Sequence, residues 1–265
     1  VHPTDAGGAV FRLQRHVARF FNSARLLNMR LDHSPEDVMG AICTAVGANG
    51  IENGIIKLMG FYGDVAISIK PPDAPLDVAV CVVDVEKDMG GLPYPEDAGT
   101  TLGISTWRKL DPRSVPVGAK AAANYLNGMM ATADVAARGF QEALLLDRQD
   151  RVAEGPTDSI LVGLEGVLHS PALDNILDSI TRDTLIKVSE YLDIPVRIGP
   201  IDKKRLFDAD EIILSSTVTK VLPVRRIEDK PLQVPGPLTQ RLKNAVGALL
   251  KGELPEFAHW LTPLG

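Results

Sequence analysis

A mixed α+β fold in two domains is what this sequence predicts, on three observations. Short strand candidates and helices follow one another irregularly over 265 residues, rather than in the strict alternation of a doubly wound sheet. Neither G-x-G-x-x-G nor a P-loop occurs, so no strand–glycine loop–helix unit for a nucleotide is present. Residues 84–100 are rich in Asp, Glu, Gly and Pro and poor in apolar side chains, which marks a linker. The expected division is a small α+β domain over residues 1–88 and a larger domain over residues 89–265.

The elements follow in order. Val10-Phe11 ends a strand already under way, and residues 11–28 read as a helix, with Leu13, Val17, Phe20 or Phe21, and Leu27 near helical spacing. Ser34-Pro35-Glu36-Asp37 starts a second helix: Ser34 caps, Pro35 takes the first helical position, and Asp37 completes a capping box. Val38, Ile42 and Val46 form its core face. Strands are expected at Gly54–Phe61, Val65–Lys70 and Asp77–Val83, an antiparallel meander turned at Gly63-Asp64 and Pro71–Asp73. The second half begins with a strand at Thr101–Trp107. An alanine-rich helix over 121–137 ends at Gly139. Short strands follow at Glu142–Leu146, Arg151–Glu154, Ser159–Gly163 and Val167–His169. Then come a helix at Thr181–Leu192, strands at Val196–Ile198 and Glu211–Ser216, and a closing helix at Pro237–Leu250.

Composition excludes several functions. A net charge of −6 gives no basic face for nucleic acid. Apolar runs such as Val80–Val83 fall far short of the roughly 18–20 residues of a membrane span. Cys43 and Cys81 make neither a metal pattern nor a disulfide framework; they read as small buried hydrophobes in a reducing, cytoplasmic setting. The five histidines form no paired ligand spacing, so no metal is expected.

Four segments carry candidate chemistry. Lys120 stands among small residues in Val117–Asn127, which leaves room for a bulky planar group at its amine. Glu154 precedes a glycine turn in Val152–Asp158. Thr181 opens a helix in Leu177–Asp183. Ser215–Thr219 is a hydroxyl-rich turn after a hydrophobic strand. Each alone has an ordinary reading: a surface lysine, a loop acid, a helix cap by Thr181, a turn held by its own side chains.

Their order and spacing resemble the fold-type IV pyridoxal-phosphate enzymes, and among them the branched-chain amino acid aminotransferases. The matching text is A-K-x-x-x-N-Y-L at Ala119–Leu126, E-A-L-L-L-D at Glu142–Asp147, V-A-E-G at Val152–Gly155 and G-V-L-x-x-P at Gly166–Pro171. It continues with I-T-R-D at Ile180–Asp183, A-D-E-I at Ala209–Ile212, P-V at Pro223-Val224 and G-P-x-T-x-x-L at Gly236–Leu242. Upstream, His16-x-x-Arg19 matches an H-x-x-R helix. The resemblance implies a two-domain fold whose larger domain is a mixed, barrel-like cofactor domain. It implies pyridoxal 5′-phosphate bound as an aldimine of Lys120, whose freed amine moves the substrate's α-proton. Glu154 would face the ring nitrogen and keep it protonated, and Tyr125 would bond the ring oxygen. Arg19, the helix start at Ile180 and Thr181, and the turn at Ser216 and Thr217 would hold the phosphate, with Leu177 against one ring face. Lys57 and the backbone N–H groups of Val218 and Thr219 would receive the substrate carboxylate. The implied partners are a small amino acid, most simply a branched-chain L-amino acid, the acceptor 2-oxoglutarate, and a second copy of the chain in a homodimer.

The sequence departs from the family pattern where substrate is recognised. A Y-x-R strand reads Ile55-Ile56-Lys57, which keeps a charge but loses the bidentate fork. A P-W-G-x-Y stretch reads Asp84–Met89 and offers no aromatic wall. Roughly 40 residues precede the H-x-x-R helix in the family, and an upstream segment is expected because losing strands would expose unpaired backbone. These departures keep other readings open: a lyase resembling aminodeoxychorismate lyase, a D-amino acid or amine transaminase, and a catalytically degenerate relative.

Overall fold

The protein is described by a computed structural model over residues 1–4, 7–64, 67, 69–91 and 98–264. The elements are β1 (His2–Thr4), β2 (Gly7–Phe11), α1 (Leu13–Leu26), α2 (Pro35–Asn49), β3 (Gly54–Phe61), β4 (Asp77–Asp84) and α3 (Val85–Met89). They continue with β5 (Thr100–Arg108), α4 (Tyr125–Ala136), β6 (Glu142–Leu146), β7 (Ser159–Leu164), β8 (Val167–Ser170), α5 (Ile180–Tyr191) and β9 (Val196–Ile198). The last are β10 (Glu211–Ser215), β11 (Leu222–Ile227), β12 (Lys230–Pro231), α6 (Pro237–Lys251) and β13 (Leu261–Pro263).

Two compact units result: Val1–Leu92 with Gly247–Gly265, and Pro93–Val246. The carboxyl end, expected with the larger domain, joins the first unit because β13 pairs antiparallel with β2. Arg12, left-handed at φ 50, seals this junction. Its amide donates to Trp260 O at 2.6 Å and its guanidinium stacks 4.2 Å from the Trp260 ring.

In the first unit the capping box at Ser34 and Asp37 is formed. β3 and β4 pair from Gly54↔Asp84 to Phe61↔Asp77. Alternate residues of this hairpin (Ile56, Leu58, Val80 and Val82) pack against Leu13, Val17, Val38, Ile42 and Val46 of the two helices. Of the middle strand expected at Val65–Lys70, Val65, Ala66 and Ser68 lie outside the described residues; Ile67, Ile69 and Lys70 are bends, and both isoleucines are fully exposed. The cysteines are a correction: Cys43 is only half-buried, and Cys81 is exposed on the outward face of β4, opposite Lys57. The expected linker is not all coil. Asp84 caps α3 by accepting from the amides of Glu86 and Lys87, and residues 92–97 lie outside the described residues.

The second unit holds a mixed sheet in the order β6-β5-β11-β10-β7-β8-β9, with β12 paired to β11. β5 runs parallel to both β6 and β11, and β8 parallel to β9; the other pairs are antiparallel. The apolar run of β6 is explained by burial on two faces. Leu144 and Leu146 enter the main core with Ile160, Val162, Ile212, Leu214 and Val224. Ala143 and Leu145 face Ala131 and Val135 of α4, with Phe140 beside them. Arg151–Glu154, expected as a strand, makes only single bridges, Leu146↔Val152 and Arg151↔Asp202. The cap of α5 is Ser179, whose hydroxyl accepts from the Arg182 amide, and Thr181 lies inside the first turn. Among the described residues no helix is long and apolar enough to cross a membrane.

Two of the short sequence patterns meet as scaffold. The Glu211 carboxylate accepts from the amides of Leu238 (3.0 Å) and Thr239 (2.8 Å) and from Thr239 Oγ1 (2.6 Å), all buried at the start of α6. An anion there suits both the free amides and the helix dipole. A Cβ on Gly236 would stand 2.3 Å from Glu211 Oε2, so only glycine lets the carboxylate dock. Gly236→Ala is therefore expected to lose roughly 1–3 kcal/mol by displacing an acceptor from buried donors, read as a lower urea midpoint with an unchanged slope.

Candidate active site

The second unit assembles its polar groups by backbone register. The amide of Lys109, just past β5, donates to Leu146 O at 2.8 Å, and the amide of Leu145 donates to Glu154 O at 3.0 Å. This ladder sets Lys109, the end of β6 and Glu154 side by side. Gly155 closes the turn after Glu154, its amide donating to Asp158 O at 2.7 Å. A Cβ on Gly155 would sit 3.2 Å from that carbonyl and 3.3 Å from Ala143 O, a tight approach to two backbone oxygens.

Glu154 is buried, at 6% exposure. Lys109 Nζ lies 2.6 Å from its Oε1, and the Leu177 amide is shared between Oε1 at 3.2 Å and Oε2 at 3.3 Å. Burial pushes the carboxyl above the usual carboxylate range, and Lys109, the Leu177 amide and the charge of Lys120 pull against that rise. Lys120 itself is exposed, and its Nζ donates to Tyr125 Oη at 2.6 Å. Tyr125 opens α4 after a turn of 3-10 helix at Ala122–Asn124.

Two features are suited to hold an anion. At the start of α5 the Ser179 hydroxyl caps Arg182 and the Ser179 carbonyl takes the Asp183 amide, while helix geometry leaves the N–H groups of Ile180 and Thr181 without an intrahelical acceptor. The turn after β10 is pinned by Ser216 Oγ, 2.9 Å from Thr219 Oγ1. Its internal bonds use the amides of Thr219 (3.3 Å to Ser216 Oγ), Lys220 and Val221, and leave out those of Thr217 and Val218. Thr219, expected as a backbone donor to substrate, is thus engaged in holding the turn. Strand register sets Ser215 opposite Ser159, and Thr219 Oγ1 lies 3.5 Å from Asp158 Oδ1, so this turn adjoins the Glu154 loop. The half-buried Lys220 bends back so that its Nζ donates to Thr217 O, and burial lowers its pKa to about 8.

Of the residues expected from sequence, the second unit carries Lys120, Tyr125, Glu154, Leu177, Ile180, Thr181, Ser216, Thr217, Val218 and Thr219. Arg19, half-buried on α1, and Lys57, exposed on β3, belong to the first unit. The sequence reading missed Lys109 and Lys220, and gave no role to Asp158 and Ser215 within the segments it singled out. Lys109 ends the run Trp107-Arg108-Lys109, which reads as strand-end surface; only the pairing of β5 with β6 brings it to Glu154.

The donor set fits pyridoxal phosphate. It offers an amine next to a phenol, a buried carboxylate, two helix-start amides, and a turn over the Ser215 hydroxyl, which is buried without a hydrogen-bond partner. The family model described as amino-transferase class IV matches residues 4–227. The branched-chain-amino-acid aminotransferase of Salmonella typhimurium is 30% identical over 269 residues, covering 99% of this chain and 86% of that protein. The probable branched-chain-amino-acid aminotransferase of Synechocystis is 31% identical, covering 98% of this chain and 83% of its own length. Among solved structures, the branched-chain aminotransferase of Thermoproteus uzoniensis with norvaline superposes with a TM-score of 0.92 at 30% identity, covering 97% of this chain and 85% of that one. The branched-chain amino acid aminotransferase of Thermobaculum terrenum in its PLP form gives 0.90 at 28%, covering 97% and 84%. With a family model spanning most of its length and a site whose polar groups answer to its chemistry, the chain belongs to the class IV aminotransferases.

Proposed function

We propose that this protein is a pyridoxal-phosphate-dependent aminotransferase that moves the amino group of a branched-chain L-amino acid to 2-oxoglutarate. The observation that carries the reading is one constellation: an amine 2.6 Å from a phenol, with a buried carboxylate close enough to feel that amine's charge. Bound there, the cofactor supplies an aldehyde carbon and an electron-accepting ring.

Each residue then has a task. Lys120 would hold the cofactor through its amine and, with that amine free, would serve as the general base for the substrate α-proton. Tyr125 orients that amine through its hydroxyl and would bond the ring oxygen. Glu154 would hold a proton on the ring nitrogen. The amides of Ile180 and Thr181, the turn at Ser216 and Thr217, and Arg19 would hold the phosphate. Leu177 would pack on the ring. Val218 N–H and Lys57 would receive the substrate carboxylate. Exposed apolar side chains at Trp107, Leu126 and Met129 support a homodimer. A cytoplasmic enzyme of two small-molecule substrates is the consistent setting.

A second reading keeps the cofactor and changes the donor. The loop expected to supply an aromatic wall is here the Asp84-capped helix α3, and Lys57 replaces a forked arginine. These two features favour a D-amino acid or amine donor. A lyase reading has no structural feature of its own in support.

Lys120→Ala is expected to abolish the long-wavelength absorbance of the bound cofactor and to lower turnover at least about 10³-fold; a variant that keeps the band refutes the assignment. Tyr125→Phe should keep the band, shift its pH titration and slow turnover by roughly 10–100-fold. Separate incubation with L-leucine, D-alanine and aminodeoxychorismate, each followed by loss of the absorbance, distinguishes the donors. Loss with L-leucine alone supports the first reading.

A further inference from the structure

We infer that Lys109 is a positioning residue for Glu154: its ammonium keeps that buried carboxylate ionised and leaves one of its oxygens open toward the ring nitrogen. The pairing stands on geometry alone, and its bearing on the cofactor rests on the aminotransferase reading.

Lys109 and Glu154 are both buried, with side chains 12% and 8% exposed, and Nζ and Oε1 are 2.6 Å apart. Burying two opposite charges is poor value for stability, because the desolvation of each offsets most of their attraction, and an apolar pair would serve as well. A reason beyond stability is therefore needed, and the contacts supply one. Lysine is a point donor and takes a single oxygen, where an arginine fork would take both. Oε2 keeps only a share of the Leu177 amide, at 3.3 Å. It retains lone pairs for an incoming N–H.

The charges around Glu154 come from three elements: Lys109 after β5, Lys120 before α4 and Arg182 on α5. Lys120 donates to Tyr125, and Arg182 donates to Ser170 Oγ and Pro171 O. Lys109 forms an ion pair with the carboxylate at 2.6 Å. Lys109 opposes the rise that burial imposes on the carboxyl, and so favours leaving a proton on a ring nitrogen beside it, where it would make the ring an electron acceptor. The pair is also rigidly carried, since both partners hang from hydrogen-bonded neighbours of β6.

The test compares the full chain, stripped of cofactor, as wild type, Lys109→Met, Lys109→Gln, Lys109→Arg, and Lys109→Met with Glu154→Gln. Melting temperature is followed against pH. A carboxyl whose folded pKa is raised binds more protons folded than unfolded, so stability falls as pH rises from the ordinary value, about 4.3, to the folded one. Loss of the ammonium should carry that fall upward by about one pH unit or more in Lys109→Met and Lys109→Gln. Adding Glu154→Gln should erase the extra fall, and Lys109→Arg should restore the wild-type profile. Where Lys109→Met folds poorly, the infrared carboxylic-acid band that Glu154→Gln removes gives the same answer in Lys109→Gln at neutral pH. With cofactor added, Lys109→Arg should lower kcat while leaving the pH profile of stability intact, because the fork occupies Oε2. Parallel stability profiles for wild type, Lys109→Met and Lys109→Gln overturn the charge role. Unimpaired kcat in Lys109→Arg overturns the single-oxygen argument. If no variant, wild type included, binds pyridoxal phosphate, the aminotransferase reading fails while the pH profiles still decide the pairing.

Discussion

A carboxylate withdrawn from water needs its neighbours to justify its charge, and Glu154 organises this protein around that need. Its side chain is held by an ammonium on one oxygen and a backbone amide across both. Each of those groups comes from a different part of the second unit. Lys109 follows β5, Leu177 precedes α5, and Glu154 itself lies beside β6 through the Leu145 and Ala153 amides. The mixed sheet, with its parallel β5 and β6, makes this convergence possible. A low-dielectric surrounding strengthens every such contact and also makes any missing one costly.

The same logic separates residues that perform chemistry from residues that hold the frame. Glu211 and Gly236–Thr239 look as distinctive in the sequence as the site residues, yet they face one another at the foot of α6 and satisfy its first amides. Arg182 is likewise structural, fastening α5 to the end of β8 through Ser170 and Pro171. That anchorage keeps the free amides of Ile180 and Thr181 in place. Both cases are charges buried for architecture, each surrounded by matched donors or acceptors. Glu154 differs in that one of its oxygens is left incompletely used.

Where sequence reading failed, the failure has a physical cause. Ile67 and Ile69 alternate as a strand would, but alternation describes one strand in isolation, and both side chains stand in solvent with no face to cover them. Thr181 looked like the cap of α5, whereas Ser179, two residues earlier, has the extended backbone and the hydroxyl that a cap requires. Cys81 sits within an apolar run that suggested burial, but its register on β4 turns it to the outward face opposite Lys57. The short run Arg151–Glu154 has strand composition and instead bridges two neighbours one residue at a time.

By itself the sequence determined which chemical groups are present and in what order: the amine at 120 with its phenol five residues on, the acid before a glycine turn, the helix start at 180 and the hydroxyl turn after β10. Those are local patterns, set by chain geometry within a few residues. Only the tertiary structure decided that Lys109, 45 positions from Glu154 in a chain of 265, is its ion-pair partner, that Thr219 binds its own turn, and that the last residues return to β2. Such pairings depend on strand register, and register follows from which faces the whole fold buries, which no short stretch of sequence contains.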